Sequence, residues 1–404
     1  MKSCGVIVEY NPFHNGHAYH IQEAKKVTGA DTVIAVMSGN FLQRGEPAII
    51  DKYHRAEAAL SSGIDLVLEL PYAFAVQNSD LFAKGAVNTL HKMGVSSICF
   101  GSEAGDAAQF KTSFTSFLEQ KDVYEKELKH WLNKGLSFPE ASMHAYGAIG
   151  LTTEAMDLSQ PNNILGMSYV KTIMENKFPI EIHTIKRINN HFHEPEITNA
   201  IASATSIRNE MIQSGNLTSK VIAAIPDVTL HQLQEYKRKT TLWHQWENYF
   251  QILNYRVQTM THSELRDIHG VVEGLEYRLS KTAKYARSMQ EWMESIKTKR
   301  YTWTRIQRLF VHLLTNTRKS ELDSYLKEST GVPYVRLLGM TERGQRYLNK
   351  MKKTVEVPII TNFSKDMHPM LQLEERATAA YYSILSPETR LSLSKQELRT
   401  PLRI

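Results

Sequence analysis

Hydrophobic residues in the front half of the chain cluster in short runs without polar alternation: Cys4-Gly5-Val6-Ile7-Val8, Thr32-Val33-Ile34-Ala35-Val36-Met37, Leu66-Val67-Leu68 and Ile98-Cys99-Phe100. Such runs, rich in β-branched residues, read as strands covered on both faces. They predict strands over about 4–10, 32–37, 65–70 and 97–100, with Pro71 and Gly101 as stops. Between them the apolar spacing turns helical, over 18–27, 51–62 and 79–93, and Asp51 stands where a cap belongs. Strands alternating with helices predict parallel β-α units and hence a Rossmann-like parallel sheet.

Farther along, 107–134 and 138–148 read as helices, a helical insertion of about 107–150 lying over the sheet. A helix over 162–176 begins near Pro161, a fifth strand covers 180–185, and a polar stretch, 186–200, precedes "SATSIRNEM" at 203–211. Beyond about residue 225 helical periodicity takes over, with tryptophans at 243, 246, 292 and 303. The expectation is an α/β domain, 1–225, followed by a mainly α-helical domain, 226–404, with the boundary at Pro226-Asp227.

Composition sharpens this. The 404 residues and 42% hydrophobic content support a sizeable core. No apolar run approaches the roughly 20 residues that span a bilayer, and no secretory signal is legible. The two cysteines, Cys4 and Cys99, lie in strand-like runs. This argues against a disulfide framework and predicts a reducing, cytoplasmic setting. Charge divides unevenly: residues 1–224 hold 19 Lys+Arg against 23 Asp+Glu, and the rest hold 29 against 19. A basic back half suits an acidic macromolecular partner, although helical domains often carry excess lysine.

The chemistry concentrates in "VEYNPFHNGH", residues 8–17. In an open parallel sheet ligands bind beyond the carboxyl ends of the strands. Here the first strand ends in His14-Asn15-Gly16-His17 and a helix follows, whose free N–H groups suit a phosphate. Two histidines three apart can point the same way and donate to phosphate oxygens. A loop pair without a role and a metal pair are the alternatives; no cysteine or carboxylate cluster at zinc spacing favours the latter. Later, Ser203-Ala204-Thr205-Ser206-Ile207-Arg208 places hydroxyls and a guanidinium at another helix start, a second phosphate cradle or an ordinary capped helix.

Together, H-x-G-H after the first strand and S-x-T-x-I-R at a later helix start resemble the nucleotidylyltransferase superfamily. The strings "GVIVEYNPFHNGHAYHI", "MSGNFLQRGEPAIIDKYHRAEAAL", "DLVLELP", "GSE" and "IASATSIR" resemble the bacterial tRNA(Met) cytidine acetate ligases. The likeness is dense over 1–215 and looser beyond. It implies a nucleotidylyltransferase-like catalytic domain and a tRNA-binding basic domain. The implied reaction activates acetate with ATP as acetyl-adenylate and acetylates the wobble cytidine of elongator tRNA(Met), giving N4-acetylcytidine.

The resemblance implies His14 and His17 as catalytic groups at the α-phosphate. It implies ATP binding by Val8, Glu9, Tyr10, Asn11, Pro12, Phe13, Asn15, Gly16, Ala18, Tyr19, His20 and Ile21. Gly101, Asn162 and Arg187 would add nucleotide contacts, and Ser203, Thr205 and Arg208 would take the β- and γ-phosphates. Mg²⁺ is expected on the triphosphate, held by phosphate oxygens and water with no dedicated protein ligands. The loop and helix of 38–60 bring Arg44, Lys52 and Arg55 near the same edge, for substrate or as a solvated face. Between Arg278 and Arg308 the chain holds nine Lys/Arg and two Glu. Lys297, Lys299, Arg300, Arg305 and Arg308 are candidates for RNA phosphates, with nearby aromatics available for base stacking. Two rival readings stand beside this one: a nucleotidylyltransferase of a small metabolite, and a non-catalytic RNA-binding protein that senses ATP.

Overall fold

The structure, a computed structural model, describes residues 1–153, 156–187, 202–272, 274–328, 331–364 and 368–404. The polar stretch expected over 186–200 lies almost wholly outside them.

Five parallel strands form the centre: β1 (Ser3–Val8), β2 (Thr32–Ser38), β3 (Leu66–Leu70), β4 (Ser97–Ser102) and β5 (Glu181–Lys186), in the spatial order β5-β4-β1-β2-β3. β2 and β3 are buried at every position, as their unbroken apolar runs require. Helices α1 (Asn15–Thr28) and α2 (Lys52–Ser61) pack one face together with Tyr10, Phe13, Ile21, Ala56 and Leu60. The helix Ser79–Lys92 lies across the other face, so closely that a Cβ on Gly5 would stand 2.7 Å from the Leu90 methyls.

Two sequence expectations need correction. The stretch 107–134 is two helices, Ala107–Glu119 and Lys121–Asn133, parted at Gln120, where no glycine or proline marks the break. No strand was expected beyond residue 185, yet three join the sheet: β6 (Val335–Met340), antiparallel to β3, and the two-residue strands β7 (Ile359–Ile360) and β8 (Leu402–Arg403), both parallel to β6. Residues on both sides of 225 therefore share one sheet and one large apolar core.

A buried ion cluster sits at that junction. Lys52 Nζ lies 2.7 Å from Glu69 Oε1 on β3 and 2.7 Å from Glu397 Oε1. Arg336 Nη2 on β6 reaches Glu397 Oε2 at 3.0 Å, and the Tyr53 hydroxyl donates to that oxygen at 2.9 Å. Removing one member of a buried cluster leaves an uncompensated charge, at a cost of about 3–5 kcal/mol. Lys52→Met should therefore lower the unfolding free energy by about that amount in urea denaturation. A loss under about 1 kcal/mol would mean that the cluster is replaceable by apolar packing.

Candidate active site

The strand order reverses at β1: β2 lies on one side of it and β4 on the other, which is where open α/β sheets bind ligands. β1 and β4 pair only at Cys4–Ser97 and Gly5–Ile98. Beyond those pairs a cavity of about 460 Å³ opens, lined from the carboxyl ends of β1, β4 and β5 and from the start of the helix Ala204–Ser214.

The mouth is shaped by Arg55, which is wholly buried on α2. Its Nη1 donates to the carbonyls of Glu9 (2.6 Å) and Ser38 (3.1 Å), its Nη2 to that of Gly39 and its Nε to that of Ile50 (3.2 Å). One guanidinium thus ties the chain leaving β1 to the chain leaving β2. Tyr10, next along, adopts φ +51, a left-handed conformation uncommon outside glycine.

His14 and His17 form the N-terminal cap of α1. His14 Nδ1 accepts from the Gly16 N–H at 3.1 Å, and His17 Nδ1 accepts from the His14 N–H at 3.3 Å. The rings stack with centroids 3.7 Å apart. An Nδ1 that accepts carries no proton, so each neutral ring bears its hydrogen on Nε2. Burial brings the His14 pKa down to about 3, with Arg187 and Arg208 adding to the shift. Burial also holds His17 well below the ordinary value, and His20 comes down to about 4, helped by Arg187. The pair is thus fixed as neutral N–H donors at a helix N-terminus, an arrangement that suits an anion.

Of the residues expected at the nucleotide, Val8, Glu9, Tyr10, Asn11, His14, Gly16, His17, Tyr19, His20, Gly101, Asn162, Arg187, Ser203, Thr205 and Arg208 line this one cavity. Phe13 and Ile21 are instead core residues, with Ala18 packed against them. Pro12 is buried off the cavity wall, and the Asn15 amide turns away to donate to the Ala223 carbonyl at 3.0 Å. Ser203 caps its helix by accepting from the Ser206 N–H at 3.1 Å. Arg208 donates to the Asn11 carbonyl at 2.8 Å and pairs with Glu46 at 3.0 Å. Asn162 donates to Glu103 at 2.5 Å. A Cβ on Gly101 would meet only the side chains of Arg187 and His20 and the Ile185 carbonyl, at 3.6 Å or more, so the protein itself leaves room there.

Arg44 lines the cavity, but Lys52 and Arg55 are fully buried structural cations, out of reach of substrate. Sequence reading missed the aromatic wall of Phe82, Phe100 and Tyr169, supplied by core helices and β4. In the basic stretch, Lys297, Lys299 and Arg300 are exposed, whereas Trp292 is core. Arg305 stands over the Tyr301 ring at 5.3 Å, and Arg308 Nη1 approaches the Gln43 carbonyl at 3.4 Å. Burial lowers the Arg308 pKa to about 10, with Arg305 contributing. The stretch therefore runs from solvent to the loop that edges the cavity.

A sheet of this order, with a histidine cap at its reversal point, is that of a nucleotidyltransferase. The HIGH Nucleotidyl Transferase family matches residues 1–397. The protein named tRNA(Met) cytidine acetate ligase in Oceanobacillus iheyensis is 56% identical over 404 residues, covering all of both chains. Its Bacillus subtilis namesake is 44% identical over 407 residues, covering 100% of this chain and 97% of the relative. Crystal structures of Thermotoga maritima TmcAL match over the full length of both chains. The apo form superposes with TM-score 0.91 at 34% identity, and the form bound with alpha-thio ATP with 0.89 at 35%. The chain belongs to the HIGH Nucleotidyl Transferase family and, within it, to the tRNA(Met) cytidine acetate ligases.

The depressed histidines carry a pH signature. Unfolded histidines take up protons near 6.5, whereas the buried rings stay neutral down to about 4 (His20) and about 3 (His14). Their contribution to stability is complete above pH 6.5 and is lost as pH falls from there. Urea midpoints should drop between pH 7 and pH 5, while ¹⁵N shifts of His14 and His17 keep the Nε2–H neutral pattern throughout. A ring that titrates near 6.5 would contradict this assignment.

Proposed function

We propose that the protein activates acetate with ATP to acetyl-adenylate and transfers the acetyl group to the wobble cytidine of elongator tRNA(Met), giving N4-acetylcytidine. The observation that supports this best is the pair of neutral Nε2–H donors at the start of α1, facing the same cavity as the Ser203–Arg208 helix start. An acetate oxygen attacks the α-phosphorus, the bond to the bridging β-phosphate oxygen breaks, and pyrophosphate leaves. Charge grows on the α-phosphate oxygens, where fixed donors stabilise it without reorganisation.

In this reading Ser203, Thr205 and Arg208 take the β- and γ-phosphates, Arg208 giving up Glu46 to do so. Gly101, Asn162 and Arg187 border the nucleoside. Binding of alpha-thio ATP by the Thermotoga maritima protein supports the assignment of ATP. Mg²⁺ is assigned to the phosphates, with water completing its shell. The carboxylates on the cavity wall are Glu9 and Glu46, and among the described residues no cluster of three or more His, Cys, Asp or Glu forms a ligand set. Lys297, Lys299, Arg300, Arg305 and Arg308 are assigned to the tRNA backbone, guiding the anticodon toward the cavity. The buried Cys4 and Cys99 suit a reducing compartment, the cytoplasm.

Mass spectrometry of tRNA nucleosides after incubation with ATP and labelled acetate should find label in N4-acetylcytidine. Pyrophosphate release without RNA product would point to a small-metabolite nucleotidylyltransferase. His17→Ala should slow acetate-dependent ATP–pyrophosphate exchange by about 10²–10³, the usual loss for one preorganised donor. Near-normal exchange in the folded variant would remove the pair from the chemistry.

Joint charge reversal of Lys297, Lys299 and Arg300 should weaken tRNA binding and lower the log–log salt slope by roughly 0.7–0.9 for each phosphate no longer neutralised. Unchanged affinity would show these residues to be a solvated face.

A further inference from the structure

Attack on the α-phosphate needs donors, and the cavity has them. Transfer of the acetyl group to a nucleobase amine needs an acceptor for a proton. The lone pair of such an amine is delocalised into its ring, so the N–H proton must leave as the C–N bond forms.

His14 and His17 have spent their acceptor nitrogens on backbone N–H groups and present only protons. His20, held down to about 4 by burial and by Arg187, is a weak base. Glu46 pairs with Arg208 at 3.0 Å, a pair that re-forms once pyrophosphate has left and before acyl transfer. Tyr10, Tyr19 and Tyr169 bring phenols to the wall, and Arg44, Lys186, Arg187 and Arg208 bring side chains that only donate. Cys4 and Cys99 are buried, and burial pushes the Cys4 thiol up to about 11, which leaves no thiolate for an acyl-enzyme. Among the described residues, Glu9 is the remaining group on the wall.

Glu9 follows the last residue of β1, five positions before the histidine cap. Its Oε1 is fixed by the Gln43 N–H at 2.8 Å and the Ser38 hydroxyl at 3.4 Å. Its backbone carbonyl is locked by Arg55. Among the described residues nothing donates to its Oε2, and the side chain lines the cavity. Tyr169 stands close enough to feel its charge, and the Phe100 ring lies 5.5 Å from that of Tyr169. A carboxylate at the edge of an aromatic wall is a fitting receptor for a base that presents an exocyclic amine.

We propose that Glu9 is the general base of acyl transfer, its Oε2 accepting a hydrogen bond from the cytidine N4 amine and then taking its proton. This rests on the function proposed above. N4 attacks the acetyl carbonyl carbon, the C–N bond forms, the bond from that carbon to the adenylate phosphate oxygen breaks, and AMP departs with both electrons. The proton from N4 ends on Glu9. Burial raises the Glu9 pKa against the pull of the Gln43 N–H and Arg44, which makes its carboxylate a better base.

The test separates the half-reactions. Synthetic acetyl-adenylate, tRNA(Met) and enzyme are mixed in single turnover, with ATP–pyrophosphate exchange measured in parallel. Glu9→Gln keeps the shape and the hydrogen-bonding reach of the side chain but cannot take a proton. Its transfer rate should fall at least a hundredfold further than its exchange rate, and the acid limb of the wild-type transfer profile should disappear. Glu9→Asp should recover part of the transfer rate.

Equal loss in both half-reactions would make Glu9 part of the nucleotide site and overturn the proposal. So would transfer that survives in Glu9→Gln. A wild-type protein that makes the adenylate but acetylates no tRNA would remove the acceptor reading itself, and the role of Glu9 with it.

Discussion

The ion cluster of Lys52, Glu69, Glu397 and Arg336 governs the shape of the site. Charges taken out of water are tolerated only when every partner is in place. That requirement sets α2 against β3 and β6 and brings the short helical turn Lys395–Leu398 to the same cluster. α2 carries Arg55 one turn beyond Lys52. With α2 fixed, the guanidinium reaches the carbonyls of Glu9, Ser38 and Gly39, and the exits of β1 and β2 are fixed in turn. The geometry of the cavity is thus inherited from charges that never touch a ligand.

Within the cavity the same atoms serve structure and chemistry. A helix start usually takes Ser, Thr, Asp or Asn as its cap. Here His14 accepts one orphan N–H, and His17 accepts another from the backbone of His14. This capping pins both rings, sets their tautomer and leaves Nε2–H to face outward. A carboxylate cap would satisfy the same backbone groups but would offer an anion no donor at that position.

Much of this was legible in sequence. Unbroken apolar runs gave away β1 to β4, because a strand covered on both faces has no polar alternation to blur it. H-x-G-H could be placed at a ligand edge because a strand precedes it and a helix follows. Fifteen of the residues expected at the nucleotide share one cavity wall, whereas Phe13 and Ile21, inside the same motif, are core. A motif string cannot tell a residue facing the ligand from one that holds up its neighbour. β6 escaped because Leu337-Leu338 is too short a run to stand out among helices, and two-residue strands such as β7 and β8 have no period at all. Lys52 and Arg55 read as substrate contacts or a solvated face because Arg55 is satisfied by backbone carbonyls, which leave no mark in sequence, and Lys52 pairs partly with distant chain; Tyr53 and Glu397, in the same cluster, are 344 residues apart.

That separation bears on the order in which the molecule is made. The ribosome releases a chain from its N-terminus, so the histidine cap and the parallel strands emerge early. Glu397 emerges long after them. Until it does, Lys52 lacks one of the two carboxylates that pair with it, and Arg336 lacks the Glu397 carboxylate. An unfinished polypeptide therefore carries the histidine cap before the buried cluster that braces α2 is complete.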